Sequence, residues 1–242
     1  MGPLPPFART ALLLDLDGTL LDIAPTPDSV IVPDGLVDSM TTLRAQLNGA
    51  LAIVTGRAIE TVDGFLKTIF AAAGEHGAAF RHRPDSAIER ADLPAPPDSW
   101  VAAAERLAAA HPGALLERKA RGFALHFRLA PASGPVFEAA LAALVTEGSG
   151  FQLLGGQMTW ELRPFGADKG LAVGALMAHQ PFHGRTPVFI GDDVTDEDGM
   201  RVARAMGGVG LRVDTAFRDP GRVRRWLQEA ALLGDWPPLP GG

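Results

Sequence analysis

The sequence predicts an α/β protein: a Rossmann-like parallel sheet flanked by helices, interrupted by a smaller α+β insert. Three observations carry this. Short apolar runs (Ala11–Leu14, Ala50–Val54, Thr186–Ile190) alternate with helix-period segments at both ends of the chain, the pattern of an open parallel sheet. Each run passes straight into a polar stretch, DLDGT, TGR or GDD. In such sheets ligands bind beyond the carboxyl ends of the strands. Between these segments the grammar changes to helix, two strands, helix, two strands. The expected core is therefore discontinuous, residues 1–82 and 163–242, with an α+β cap domain at 83–162.

Ala11–Leu14 is uniformly apolar, as a strand covered on both faces must be. Pro25–Pro33 reads as a crossing loop. Asp34–Gln46 reads as a helix with Leu36, Val37, Met40 and Leu43 on one face, closed by Gly49. The strand Ala50–Val54, an amphipathic helix over Ile59–Phe70 and a weaker strand within Ala71–Ala79 follow. Arg81–Pro97 is polar and Pro-rich, which suits a linker. In the insert, Asp98–Ala110 is helical, and Leu115–Arg118 and Phe123–Arg128 are strands. Phe123, Leu125 and Phe127 alternate with Ala124, His126 and Arg128, the period of a half-exposed antiparallel strand. Pro135–Thr146 is a second helix, and Phe151–Leu154 and Met158–Leu162 form a hairpin around Gly155-Gly156. The first grammar then resumes with helix Lys169–His179, strand Thr186–Ile190, helix Asp196–Met206, strand Gly208–Val213 and helix Pro220–Leu233. The tail, WPPLPGG, is expected to fray.

A chain of 242 residues that is 47% hydrophobic can bury a sizeable core. A net charge of −6 argues against a nucleic-acid partner. The absence of cysteine rules out disulfides, thiolate zinc sites and a Cys nucleophile. No signal peptide and no long uncharged apolar run is visible, so the expectation is a cytoplasmic chain without membrane contact, and a monomer with its own cap. Only three basic residues are lysine, Lys67, Lys119 and Lys169, against a background of arginine.

Asp15 and Asp17 stand two apart on extended chain and so point to one side, where a single ion or substrate could meet both. DLDGTLLD resembles motif I, DxDGT, of the haloacid-dehalogenase-like (HAD) phosphohydrolases. Thr55-Gly56-Arg57, Lys169-Gly170 and Gly191-Asp192-Asp193 follow in the order of that superfamily's motifs II to IV. The residues alone leave other readings open: a helix cap for Thr55, a surface lysine for Lys169, an acidic helix start for Asp192–Asp198. The resemblance implies Asp15 as nucleophile, Asp17 as acid/base and backbone metal ligand, and Asp192 as metal ligand, with Asp193 and Asp196 in support. An aspartate is already ionised at neutral pH and needs no activating base, but a phosphate dianion repels it. Mg²⁺ on Asp15 and Asp192 would relieve that repulsion, while Thr55, Lys169 and backbone N–H groups near Gly18 and Gly56 would take the phosphoryl oxygens.

The finer resemblance is to trehalose-6-phosphate phosphatases. It rests on VTGR at 54–57, GEHGA at 74–78, ERKxxGFALHFR at 117–128, WELRPFGADKG at 160–170 and GDDVTDEDGM at 191–200. It implies hydrolysis of trehalose 6-phosphate, with Gly56, Arg57 and His76 at the core and Glu117, Lys119, Arg128 and Glu161 at the cap as substrate-binding residues. Without the resemblance, Glu117 and Lys119 read equally as an exposed ion pair, and His126 and Arg163 read as structural. A phosphatase for another sugar phosphate, such as sucrose 6-phosphate, and a catalytically silent sugar-phosphate sensor are the alternatives.

Overall fold

The computed structural model describes residues 3–241. In chain order its elements are β1 (Thr10–Leu14), α1 (Leu36–Gln46), β2 (Leu51–Val54), α2 (Ile59–Leu66), β3 (Ala71–Gly74), β4 (Ala79–Arg81) and β5 (Glu89–Arg90). There follow α3 (Asp98–Ala110), β6 (Leu115–Arg118), β7 (Phe123–His126), α4 (Gly134–Ala142), β8 (Phe151–Gly156) and β9 (Thr159–Pro164). The chain closes with α5 (Lys169–Met177), β10 (Thr186–Gly191), α6 (Asp196–Ala205), β11 (Val209–Arg212) and α7 (Pro220–Leu233). Two compact units result. One holds the chain to Ile23, Val30–Ala91 and everything from Asp168; the other holds Ala24–Ser29 and Asp92–Ala167.

The first unit is built on a seven-stranded sheet in the order β11-β10-β1-β2-β3-β4-β5. The first five strands in that order are mutually parallel; β4 pairs antiparallel with β3, and β5 antiparallel with β4. Successive side chains on a strand face opposite ways, so β1 feeds two cores at once. Leu12 and Leu14 join Leu51, Ile53, Val188 and Ile190 under α1, α2 and α7, through Met40, Leu43, Ile59, Val62, Trp226 and Leu227. Ala11 and Leu13 join Ala52, Val54, Ala73 and Phe189 under α5 and α6, through Val173, Leu176, Met200 and Ala203. Every residue of β1, β2 and β3 is buried, which is why these runs carry no polar alternation.

The second unit is an antiparallel sheet, β6-β7-β9-β8. Phe123, Leu125, Phe151 and Leu162 bury one face against Ala104 of α3 and Phe137 and Leu141 of α4. Glu117, Ala124 and Glu161 are paired in one row across β6, β7 and β9, so they lie together on the opposite face.

The structure departs from expectation at several places; residues 24–29 and 163–167, expected in the core, belong to the second unit. Residues 83–91, expected in the insert, stay with the first unit, because Glu89-Arg90 pairs with β4 and Arg90 forms ion pairs with Glu60 and Glu75. The hairpin turns at Gln157-Met158 rather than at Gly155-Gly156. Both glycines belong to β8, where a Cβ on Gly155 would stand 2.9 Å from the Trp160 ring, and Met158 takes the left-handed conformation at φ 59°. The tail, whose last residue lies outside the described ones, packs down. Trp236 stacks on Trp226 at 5.0 Å and meets Phe7 edge-on at 4.6 Å, and its Nε1–H donates to the Pro5 carbonyl.

Candidate active site

The carboxyl ends of β1, β2 and β10 deliver Asp15, Thr55 and Asp192, each the residue just after its strand. Asp15 extends the parallel ladder by one bond, its N–H donating to the Ile190 carbonyl at 2.9 Å, and Thr55 does the same to Ala73. Those bonds fix the backbone before any side-chain chemistry begins. Lys169 opens α5, which Asp168 caps by accepting from the Leu171 N–H at 2.8 Å.

Lys169 is 3% exposed and lies at the centre of the site. Its Nζ donates to Asp15 Oδ1 at 2.7 Å and Asp196 Oδ1 at 2.6 Å. The other oxygen of Asp196 accepts from the N–H groups of Asp192 and Asp193, both at 3.0 Å. Asp196 thus ties the acidic loop to the lysine. The Thr19 hydroxyl lies between Asp15 Oδ2, at 3.2 Å, and Asp192 Oδ1, at 3.4 Å, and is fully buried. Asp193 caps the start of α6, accepting from the Thr195 N–H and hydroxyl. Gly18, at φ +78°, is required twice over: a Cβ there would stand 2.2 Å from Asp192 Oδ2.

Four carboxylates around one ammonium leave the cluster short of positive charge. Burial, then repulsion from Asp196, pushes the Asp15 carboxyl well above its ordinary range, with Lys169 opposing. Burial and the neighbouring Asp196 and Asp193 raise Asp192 to about 6. Burial also raises Asp196. Burial pushes Asp193 up too, but Lys169 and the bonds from Thr195 outweigh it and hold that carboxyl low. Lys169 is stabilised as the ammonium because Asp15 and Asp196 outweigh its desolvation. This donor set fits a divalent cation. One carboxylate oxygen each of Asp15, Asp192 and Asp196 lies within 4.8 Å of the others, all hard oxygen ligands. Asp196 has one oxygen on the Lys169 ammonium and the other on two backbone N–H groups, whereas Asp15 Oδ2 and Asp192 Oδ1 share only the single proton of the Thr19 hydroxyl, which leaves lone pairs on Asp15 and Asp192 to face an ion.

Asp17 stands apart from that cluster. Arg57 holds it in a two-pronged bond, Nε to Oδ2 at 2.6 Å and Nη2 to Oδ1 at 2.7 Å, with the guanidinium over the Phe65 ring. The sequence reading sent Arg57 to substrate; the structure places it on the expected acid/base. His76 is buried in the left-handed turn after β3, and its N–H donates to the Thr55 carbonyl at 2.9 Å. A Cβ on Gly56 would stand 2.5 Å from its Nε2, so this glycine admits the imidazole.

The cap residues form a second cluster, within the other unit. Lys119 Nζ donates to Glu161 at 2.6 Å, and His126 Nε2 lies 2.8 Å from Glu117 Oε2. Desolvation of Glu117 would raise its carboxyl, but the His126 bond and the nearby Lys119 hold it below the usual range. Arg128 instead donates to the Gln157 carbonyl at the hairpin. Sequence reasoning gives Thr19 no role of its own within DxDGT and reads His126 as structural. Thr19 carried a signal, as the last letter of DxDGT; His126 had only its alternation with Leu125.

The trehalose-phosphatase family profile matches residues 13–222, which includes both clusters. The chain belongs to the trehalose-phosphatase family. It is 42% identical over 205 residues to a probable trehalose-phosphate phosphatase of Sinorhizobium fredii, covering 84% of this chain and 77% of that one. It is 38% identical over 218 residues to the trehalose-6-phosphate phosphatase of Escherichia coli, covering 86% and 79%. Among solved structures, the C-terminal domain of the Candida albicans trehalose-6-phosphate phosphatase superposes with a TM-score of 0.78 at 20% identity, over 93% of this chain and 92% of that one. The fold is accordingly that of the HAD phosphatases, and trehalose phosphatases are phosphoric monoester hydrolases. Among the described residues no helix is long and apolar enough to cross a membrane.

Proposed function

We propose that this chain hydrolyses trehalose 6-phosphate to trehalose and inorganic phosphate through a phospho-aspartate on Asp15. The observation that carries the reading is the family match over residues 13–222, because it embraces the phosphoryl-transfer cluster and the cap cluster together. Bound by Asp15, Asp192 and the Asp17 carbonyl, Mg²⁺ would offset the charge of the phosphate dianion against the carboxylates. A carboxylate oxygen of Asp15 attacks phosphorus, and the bond to the sugar 6-oxygen breaks. Asp17 gives that oxygen a proton. It then takes one from the water that attacks phosphorus in phospho-Asp15, which frees the carboxylate and releases phosphate. Lys169 and the Thr55 hydroxyl hold the phosphoryl oxygens as charge shifts onto them. Arg57 engages both oxygens of Asp17, so it sets the direction of that carboxylate and must yield one oxygen for proton transfer. Glu117, Lys119 and Glu161 would bind the sugar through charge-assisted hydrogen bonds to its hydroxyls. The test is Asp15→Asn: turnover is lost while circular dichroism and the thermal transition stay those of the parent. Substantial residual turnover would remove Asp15 as nucleophile.

A further inference from the structure

On the cap's polar face, His126 is bonded to a residue the proposed mechanism uses, Glu117, and has no task of its own in that mechanism. Its placement is specific. Glu117 on β6 is paired with Ala124 on β7, and Ala124 with Glu161 on β9. Lys119 stands beside Gly122, whose carbonyl accepts its N–H at 3.0 Å. Opposite Lys119 and Glu117 the middle strand therefore offers only a hydrogen and a methyl group, those of Gly122 and Ala124. Lys119 crosses that gap to reach Glu161 at 2.6 Å. Glu117, with no large residue opposite, leans to its diagonal neighbour His126, whose Nε2 meets Oε2 at 2.8 Å. The Lys119–Glu161 ion pair and the His126–Glu117 hydrogen bond thus share one face, and both are sheltered: the side chains of Lys119 and Glu161 are 9% and 13% exposed, those of His126 and Glu117 26% and 27%. A partner bonded to one oxygen of a carboxylate restricts its rotation and leaves the second oxygen aimed in a fixed direction. Among the described residues Oε1 of Glu117 has no bonded partner.

We propose that His126 is a positioning residue for substrate recognition: by holding Oε2 of Glu117 it aims Oε1 at a sugar hydroxyl, and so sets affinity for the sugar without touching the phosphoryl chemistry. The inference rests on the reading of the cap as the sugar-binding unit. Other charged groups on the same face, Lys119, Glu161 and Arg163, do not substitute for it, since His126 is the partner bonded to Glu117.

The experiment compares the parent chain with His126→Gln, His126→Asn and His126→Leu, measuring kcat and KM for trehalose 6-phosphate and for p-nitrophenyl phosphate with Mg²⁺. Glutamine places an N–H where Nε2 stood; asparagine stops at the position of Nδ1, and leucine has no donor. Leucine and asparagine should each raise KM for trehalose 6-phosphate about 10-fold, since a hydrogen bond to a charged group is at stake. Their kcat, and kcat/KM for p-nitrophenyl phosphate, should stay within about 2-fold of the parent. Glutamine should restore most of the KM. If leucine prevents folding, asparagine carries the same comparison. Equal losses on both substrates, an unchanged KM in the asparagine variant, or no rescue by glutamine would overturn the positioning role alone. A parent chain that hydrolyses p-nitrophenyl phosphate but not trehalose 6-phosphate would overturn the substrate reading, and this proposal with it.

Discussion

Replacing Lys169 by methionine removes the only ammonium from a buried carboxylate cluster while keeping most of the side-chain volume. Nζ is within 2.7 Å of Asp15 and 2.6 Å of Asp196, and the lysine is 3% exposed. Breaking a buried ion pair by deleting one partner costs about 3–5 kcal/mol, because the other charge is left unpaired. Protonating the orphaned carboxyl is the alternative, and from an ordinary pKa of about 3.9 this costs about 4 kcal/mol at pH 7. The cost is therefore about 3–4 kcal/mol at pH 7 with chelator present. For a chain of this size each kcal/mol moves Tm by about 2–4 °C, so the expected loss is about 10 °C. The sign of its pH dependence follows from the acids. Without the ammonium, Asp15 and Asp196 have folded-state pKa values raised above the unfolded ones. The folded state then binds the extra proton, and stability rises as pH falls. The deficit against the parent should accordingly narrow between pH 7 and pH 5. Differential scanning calorimetry at the two pH values, in EDTA, reads this directly. A loss under about 2 °C at pH 7, or a deficit that widens on acidification, would refute the picture of Lys169 as the charge on which the cluster depends. Turnover should fall by about 10²- to 10³-fold, as for a lost electrostatic stabiliser of the transition state.

Three further outcomes are expected. Arg57→Ala should lower kcat about 10- to 100-fold on trehalose 6-phosphate and p-nitrophenyl phosphate alike, because it frees Asp17 from its two-pronged hold; steady-state kinetics on both substrates checks this. Gly18→Ala should weaken Mg²⁺ binding and stability together, since its Cβ would meet Asp192 Oδ2 at 2.2 Å in a left-handed conformation; calorimetric titration of the ion reads the first effect and Tm the second. Trp236→Ala should cost about 2 kcal/mol of stability as a half-buried aromatic stack is lost. It should leave kcat unchanged, because Phe7 and Trp236 pack before the start of β1 and the chemistry lies beyond its end.

Those residues also show how far the sequence could be read. The β1–Asp15 junction was legible because an apolar run ending in carboxylates has few other uses, and Pro220–Leu233 was legible to its ends because Asp219 caps it and Gly234 closes it. What escaped was decided by partners distant in sequence. Residues 83–91 look like linker, and only the pairing of Glu89-Arg90 with β4 attaches them to the first unit. The Pro-rich tail looks free until Trp236 finds Trp226 and Phe7. Gly155-Gly156 signals a turn, yet the space it leaves is filled by Trp160 and the strand runs on. In the site, motif order brought forward Asp15, Thr55, Lys169 and Asp192 but could not show what each side chain grips. That Arg57 holds Asp17, that Thr19 spans two carboxylates and that His126 holds Glu117 are facts of three-dimensional packing.

Phosphate release from trehalose 6-phosphate, sucrose 6-phosphate and glucose 6-phosphate, measured side by side with Mg²⁺ and with EDTA, separates a trehalose-6-phosphate phosphatase from its alternatives. Trehalose 6-phosphate should be strongly preferred, and turnover should be lost in EDTA. Equal rates on the three sugars, or undiminished release in EDTA, would contradict the proposed function.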